Sequence, residues 1–136
     1  MKKYALTSLL AALLMGGCAE DRTPVTTLQT EVEHIHDEAM KQMGPMNALA
    51  RQLKQEIAAL PEGTPRRDSV QQAIDYIGKA EKDMMDWMKG YKAPEEKTSV
   101  KEALEYLQKE KAAIEQNGKD IQAATDQGLR LMSAPK

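Results

Sequence analysis

Three runs of apolar residues at helical spacing, joined by two short stretches rich in proline and glycine, predict an all-α fold: an up-down-up antiparallel three-helix bundle. No alternating apolar–polar pattern competes with them, and connections this short force sequential helices to run antiparallel. The first run begins at Thr26 and carries Leu28, Val32, Ile35, Ala39, Met46, Leu49 or Ala50, Leu53, Ile57 and Leu60. At about 100° per residue these positions keep one stripe, which predicts a helix over residues 26–60. Gly44-Pro45 lies inside it. Proline removes an amide donor and crowds the carbonyl four residues back, so a bend is expected there. The stripe keeps its phase across the pair, which favours one bent helix over two.

Pro61-Glu62-Gly63-Thr64-Pro65 reads as a turn, with Thr64 as N-cap and Pro65 in the first helical position. Val70, Ala73, Ile74, Ile77, Ala80, Met84, Met88 and Tyr91 form the second stripe, over residues 65–90. Gly90 to Pro94 ends it. Ser99 and Glu102 then have capping-box spacing, and Val100, Leu104, Leu107, Ile114, Ile121 and Met132 mark a third helix over residues 98–132. Lys111, Gly118 and Thr125 interrupt this seam, so the third helix is expected to pack least tightly. The core is thin. There is no phenylalanine in the chain, and alanine and methionine must fill positions that larger residues usually occupy. A bundle of this kind offers no obvious deep pocket, which argues against small-molecule catalysis and for a non-enzymatic protein.

The amino terminus is of a different kind. Lys2 and Lys3 precede an apolar run ending Leu13-Leu14-Met15-Gly16-Gly17-Cys18. That run is far short of the roughly 20 residues a membrane helix needs, and suits a signal peptide. Met15-Gly16-Gly17-Cys18 resembles a bacterial lipobox, in which the cysteine is acylated and becomes the first residue. An ordinary signal peptide cut beside a chance cysteine is the plainer alternative, but the chain's single cysteine falls where lipidation needs it. The expected organisation is a signal peptide at 1–17, a lipidated tether at 18–25 and a helical bundle at 26–136. Loss of Lys2 and Lys3 leaves 17 basic residues against 21 acidic ones, moving the formal charge from −2 to −4. Such a chain has no basic stripe for nucleic acid and no electrostatic grip on anionic lipid. Attachment to the membrane would come from the acyl chains on Cys18. Ala19 behind the cysteine, by resemblance to Gram-negative lipoproteins, favours the outer membrane. Glu20-Asp21 resembles a surface-export signal, and the periplasmic and surface leaflets both stay open.

Methionine is concentrated in two places. Met40, Met43 and Met46 form one group and Met84, Met85 and Met88 the other. If the first two helices fold back near residue 63, positions summing to about 126 lie side by side. Met40 then faces the level of Asp86, Met43 that of Asp83 and His36 that of Gly90. Both groups therefore meet at one end of the hairpin, together with His36 and Trp87. Met46, Met84 and Met88 fall on apolar stripes and read as core. His36, Met40 and Met43, at i, i+4 and i+7, share a second face of their own, and Met85 is off-centre on the second helix. Thioethers with one imidazole suit Cu(I), which is soft, and they form no disulfides in an oxidising envelope. The candidate metal ligands are His36, Met40, Met43 and Met85, with Met84, Met88 and Met46 in support and Asp37 or Asp86 orienting the imidazole. The rival reading is a methionine-rich surface that grips an envelope protein partner. His34 reads as solvated. Glu33 and His36 have the Glu-x-x-His spacing of di-iron bundles, but no second such pair faces them.

His36-Asp37-Glu38-Ala39-Met40-Lys41-Gln42-Met43 and Met84-Met85-Asp86-Trp87-Met88 look like marker segments of small lipoproteins of the Bacteroidota, as does Glu102-Ala103-Leu104-Glu105-Tyr106-Leu107. Those proteins are often labelled as similar to a viral A-type inclusion protein, a label that reflects helical repetitiveness. The resemblance implies an all-helical, lipid-anchored protein and brings no established activity with it. The proline expected shortly after Met40 stands later here, at Pro45.

Overall fold

The computed structural model describes residues 20–134, so the lipidation site expected at Cys18 lies outside the described residues. It contains three helices that all pack on one another: α1 (Thr23–Ala59), α2 (Pro65–Gly90) and α3 (Val100–Ser133). Among the described residues there is no strand, and no helix is long and apolar enough to cross a membrane. The architecture is the predicted three-helix bundle.

Local chemistry sets the helix ends. Thr64 Oγ1 accepts from the Arg67 amide (3.3 Å), Pro65 opens α2, and Gly63 takes the left-handed φ of +73° that the turn requires. Ser99 Oγ accepts from the Glu102 amide (3.3 Å) and donates to Glu102 Oε2 (2.7 Å), so the cap at α3 is a variant of the capping box. α1 runs unbroken through Gly44-Pro45; both residues are exposed, so the hydrogen bond proline cannot make is lost where water reaches the backbone.

Cross-helix contacts fix the register. α1 and α3 run parallel with an offset near 80 residues: the Lys111 ammonium meets Glu31, a Cβ on Gly118 would stand 3.7 Å from Ala39, and Gly128 lies under Leu49. α1 and α2 are antiparallel: Arg66 pairs with Glu56, Asn47 Nδ2 donates to Glu81 Oε1 (3.5 Å), and His36 stacks on Trp87. This agrees with the register read from the sequence. Helix lengths then have a consequence. α1 has 37 residues and α2 has 26, a difference of about 16 Å at 1.5 Å per residue. The hairpin turn joins one pair of ends, so the shortfall appears at the other. There, α1 from Thr23 to about His36 pairs with the start of α3, and the connection through residues 91–99 takes the place of α2.

Three expectations are corrected. α3 is not the loosest helix; it packs on both others, and its interface with α1 is the most extensive in the molecule. Its buried residues, Ala103, Leu107, Ile114, Ile121, Ala124 and Gly128, form two seven-residue columns, while Lys111, Gly118 and Thr125 form a flank beside them. Small residues on such a flank let α1 come closer. Met132 is exposed because the column continues to half-buried Leu131 instead. Finally, the tether expected to reach residue 25 is shorter, since α1 already begins at Thr23 and Val25 is buried.

Candidate functional site

The site lies where α2 stops short. Trp87 and Tyr91 are one turn apart at the end of α2, and their rings stack with centroids 4.8 Å apart. His36 of α1 stacks on the other side of Trp87 (5.6 Å, 27° between planes), and Tyr106 of α3 follows Tyr91 (6.3 Å). The four rings make a row across all three helices. Each stacked aromatic pair is worth about 0.5–1.5 kcal/mol beyond its burial. Beside the row is a mostly apolar cleft of about 250 Å³, lined by Glu33, His36, Trp87, Met88 and Tyr91.

Three polar atoms in this row are buried without a hydrogen-bond partner: His36 Nε2, Trp87 Nε1 and Tyr91 Oη. Buried polar groups are normally paired, and each unpaired one costs about 1–3 kcal/mol. His36 is the most informative. Its Nδ1 lies 3.1 Å from Asp37 Oδ1, and a carboxylate oxygen can only accept, so Nδ1 carries the proton in that contact. The neutral ring then presents a lone pair at Nε2. A carboxylate on one imidazole nitrogen with the other free is the arrangement that orients a histidine towards a metal. The surroundings are electronegative. Burial, then Glu33, Tyr106 and Glu110, push the Tyr91 hydroxyl up to about 12. Glu33 is the charged side chain that lines the cleft.

The structure sorts the predicted ligands. Met46 and Met84 are fully buried in the core, as their stripes implied. Met43 was expected on a separate face with His36 and Met40, yet it is only 7% exposed and belongs to the core. The reason is that α1 packs against two helices, so its buried arc is wider than a single stripe. Met88 was expected in the core and is 40% exposed at the cleft, because Trp87 and Tyr91 turn inwards where α2 ends. Met85 is 42% exposed and does not line the cleft. Met40 likewise does not line the cleft; it is half-buried against the core, one turn along α1 from His36. Asp86 is engaged by Lys82 and Lys89, and the Lys82 bond holds its carboxyl below the usual range, so Asp37 alone touches the imidazole. His34 is exposed.

Among the described residues no three His, Cys, Asp or Glu side chains come together as a metal-ligand set. The donors that line the cleft are the Glu33 carboxylate, His36 Nε2 and the Met88 thioether, beside the rings of Trp87 and Tyr91. Trp87 and Tyr91 were not singled out as site residues from the sequence, although the hairpin register already set His36 opposite residue 90, between them. No protein-family model, no curated protein and no solved structure matches this chain.

Proposed function

We propose that this chain is a lipid-anchored, non-catalytic helical protein of the bacterial cell envelope, held at the outer membrane through Cys18, which binds Cu(I) in the cleft beside His36. The observation that carries the metal reading is the buried, unpartnered Nε2 of an imidazole whose other nitrogen is held by Asp37. His36 Nε2 would supply the nitrogen, Met88 the first thioether and Met40 a second from the adjacent turn. Soft donors of this kind select Cu(I) over hard ions. Envelope location rests on the lipobox-like Met15-Gly16-Gly17-Cys18, and membership of the Bacteroidota lipoprotein group on the marker segments alone.

A second reading, an adaptor that receives a partner helix, draws on Met85 and Met88, exposed within one turn of each other on α2. A competition titration against a Cu(I) chelator separates the two. Wild type is expected to hold about one equivalent and to gain thermal stability from it, because a ligand bound only by the folded state raises apparent stability. His36→Gln and Met88→Leu should each weaken retention at least about tenfold, and Zn(II) should do far less. Equal retention by wild type and both variants, or none by any, would leave the adaptor reading.

A further inference from the structure

Glu20, Asp21 and Arg22, close behind the expected anchor, do not hang free. The Glu20 carboxylate accepts from the Val100 amide (3.2 Å) at the amino terminus of α3, where the helix dipole favours a negative charge. Arg22 donates from the other side to the carbonyls of Thr98 (2.6 Å) and Glu95 (3.3 Å), and Asp21 Oδ1 accepts from the Thr23 amide (2.9 Å). Two opposite charges, two residues apart, thus engage opposite backbone dipoles of one connection, 73 to 80 residues away in the chain. Beside them the hydroxyls of Thr26, Thr27 and Thr30 donate to carbonyls of their own helix, giving this end an uncharged polar flank.

From these contacts we infer that the bundle stands on the bilayer by the end containing Glu20, Arg22 and Thr98, with the lipid headgroup surface as its partner. The inference rests on Cys18 being the anchor. Only Ala19 separates Cys18 from Glu20, so the chain between anchor and docked residue spans at most about 7 Å. A flexible tether would let the domain swing; a pinned one does not. His36 lies 13 residues along α1 from Thr23, so the cleft is held about 20 Å further from the membrane than that end. Height and facing of the cleft are then fixed by the fold.

The test uses the single cysteine and the single tryptophan. The mature chain from Cys18 is coupled through its thiol to a maleimide-headgroup lipid in phosphatidylcholine vesicles. This supplies an anchor whether or not the cell lipidates Cys18, so failure of the localisation reading is seen separately, in labelled-palmitate incorporation by cells. Time-resolved anisotropy of Trp87 then reports how far the anchored bundle rotates. One comparison protein carries a Gly/Ser insertion of about a dozen residues between Ala19 and Glu20, which keeps every docking contact but lengthens the tether. The other is Arg22→Ala, checked for unchanged helicity. Wild type is expected to keep a residual anisotropy at least about twofold above that of both comparison proteins. Equal residual anisotropy in wild type and the insertion protein overturns the inference.

Discussion

Both ends of the bundle carry partly buried polar side chains, and they use them differently. At the hairpin end, Arg66 Nε donates to Glu56 Oε1 (2.7 Å) and its Nη2 to the Leu131 carbonyl (2.7 Å), joining all three helices. Arg67 closes the end of α1 by donating to the carbonyls of Ile57 (2.6 Å) and Leu60 (2.9 Å). These guanidinium groups satisfy the carbonyls that helix ends leave over. At the other end His36, Trp87 and Tyr91 bury a nitrogen, an indole N–H and a hydroxyl that no residue answers. The hairpin end leaves one such atom, Glu56 Oε2, whereas the other end leaves three around a single cleft, and it is this grouping that the proposed ligand site builds on.

That contrast can be broken at several points. The trunk should be the more sensitive. Leu53 is fully buried between the helices, and Leu53→Ala is expected to cost about 2–5 kcal/mol by urea denaturation. Arg66→Ala comes next at about 3 kcal/mol, since it strands the Glu56 carboxylate, which is only 8% exposed and already has Oε2 unpaired. The joint replacement Arg66→Met with Glu56→Leu should recover most of that loss. Little recovery would mean that the Leu131 carbonyl, rather than the ion pair, is what Arg66 serves.

Glycines sharpen the comparison at lower cost. A Cβ on Gly128 would meet Leu49 Cδ2 at 2.6 Å and Cγ at 3.1 Å, so Gly128→Ala should destabilise by about 1 kcal/mol despite its better helix propensity. Gly78 sits inside α2 with nothing within 4 Å, and Gly78→Ala should stabilise by about 0.5–1 kcal/mol. Similar shifts at both positions would show that α1 and α3 are not in close approach at Gly128. His36→Gln should change the apo protein least, by under about 1 kcal/mol, while removing Cu(I)-induced stabilisation. A large loss of apo stability would return His36 to the structural residues.

Tyr91 offers a check by pH. Its folded value is raised above that of an exposed phenol, chiefly by burial, so its contribution is complete below pH 10 and lost as pH rises towards 12. An ultraviolet alkaline titration should show one tyrosine ionising late, and Tyr91→Phe should remove that step. Ionisation of every tyrosine together near pH 10 would mean that the row of rings is open to water.

How much was legible in the sequence differs between backbone and side chains. The ends of α2 followed from Thr64-Pro65 and Gly90, and the start of α3 from Ser99 and Glu102, because caps and proline act within a few residues. The antiparallel register followed from one short turn. Apolar spacing also identified Met46 and Met84 as core, since a residue central on its stripe is buried whichever neighbour covers it. Two methionines were decided only by the tertiary structure: Met43, read as off the stripe, went in because α1 has two neighbours, and Met88, read as core on its stripe, stayed out because α2 stops before α1 does. The docking of Glu20 and Arg22 and the orphaned Nε2 of His36 were equally out of reach. Each depends on groups 50 to 80 residues away in the chain, and periodicity, which is local, says which face is buried but not which atoms meet there.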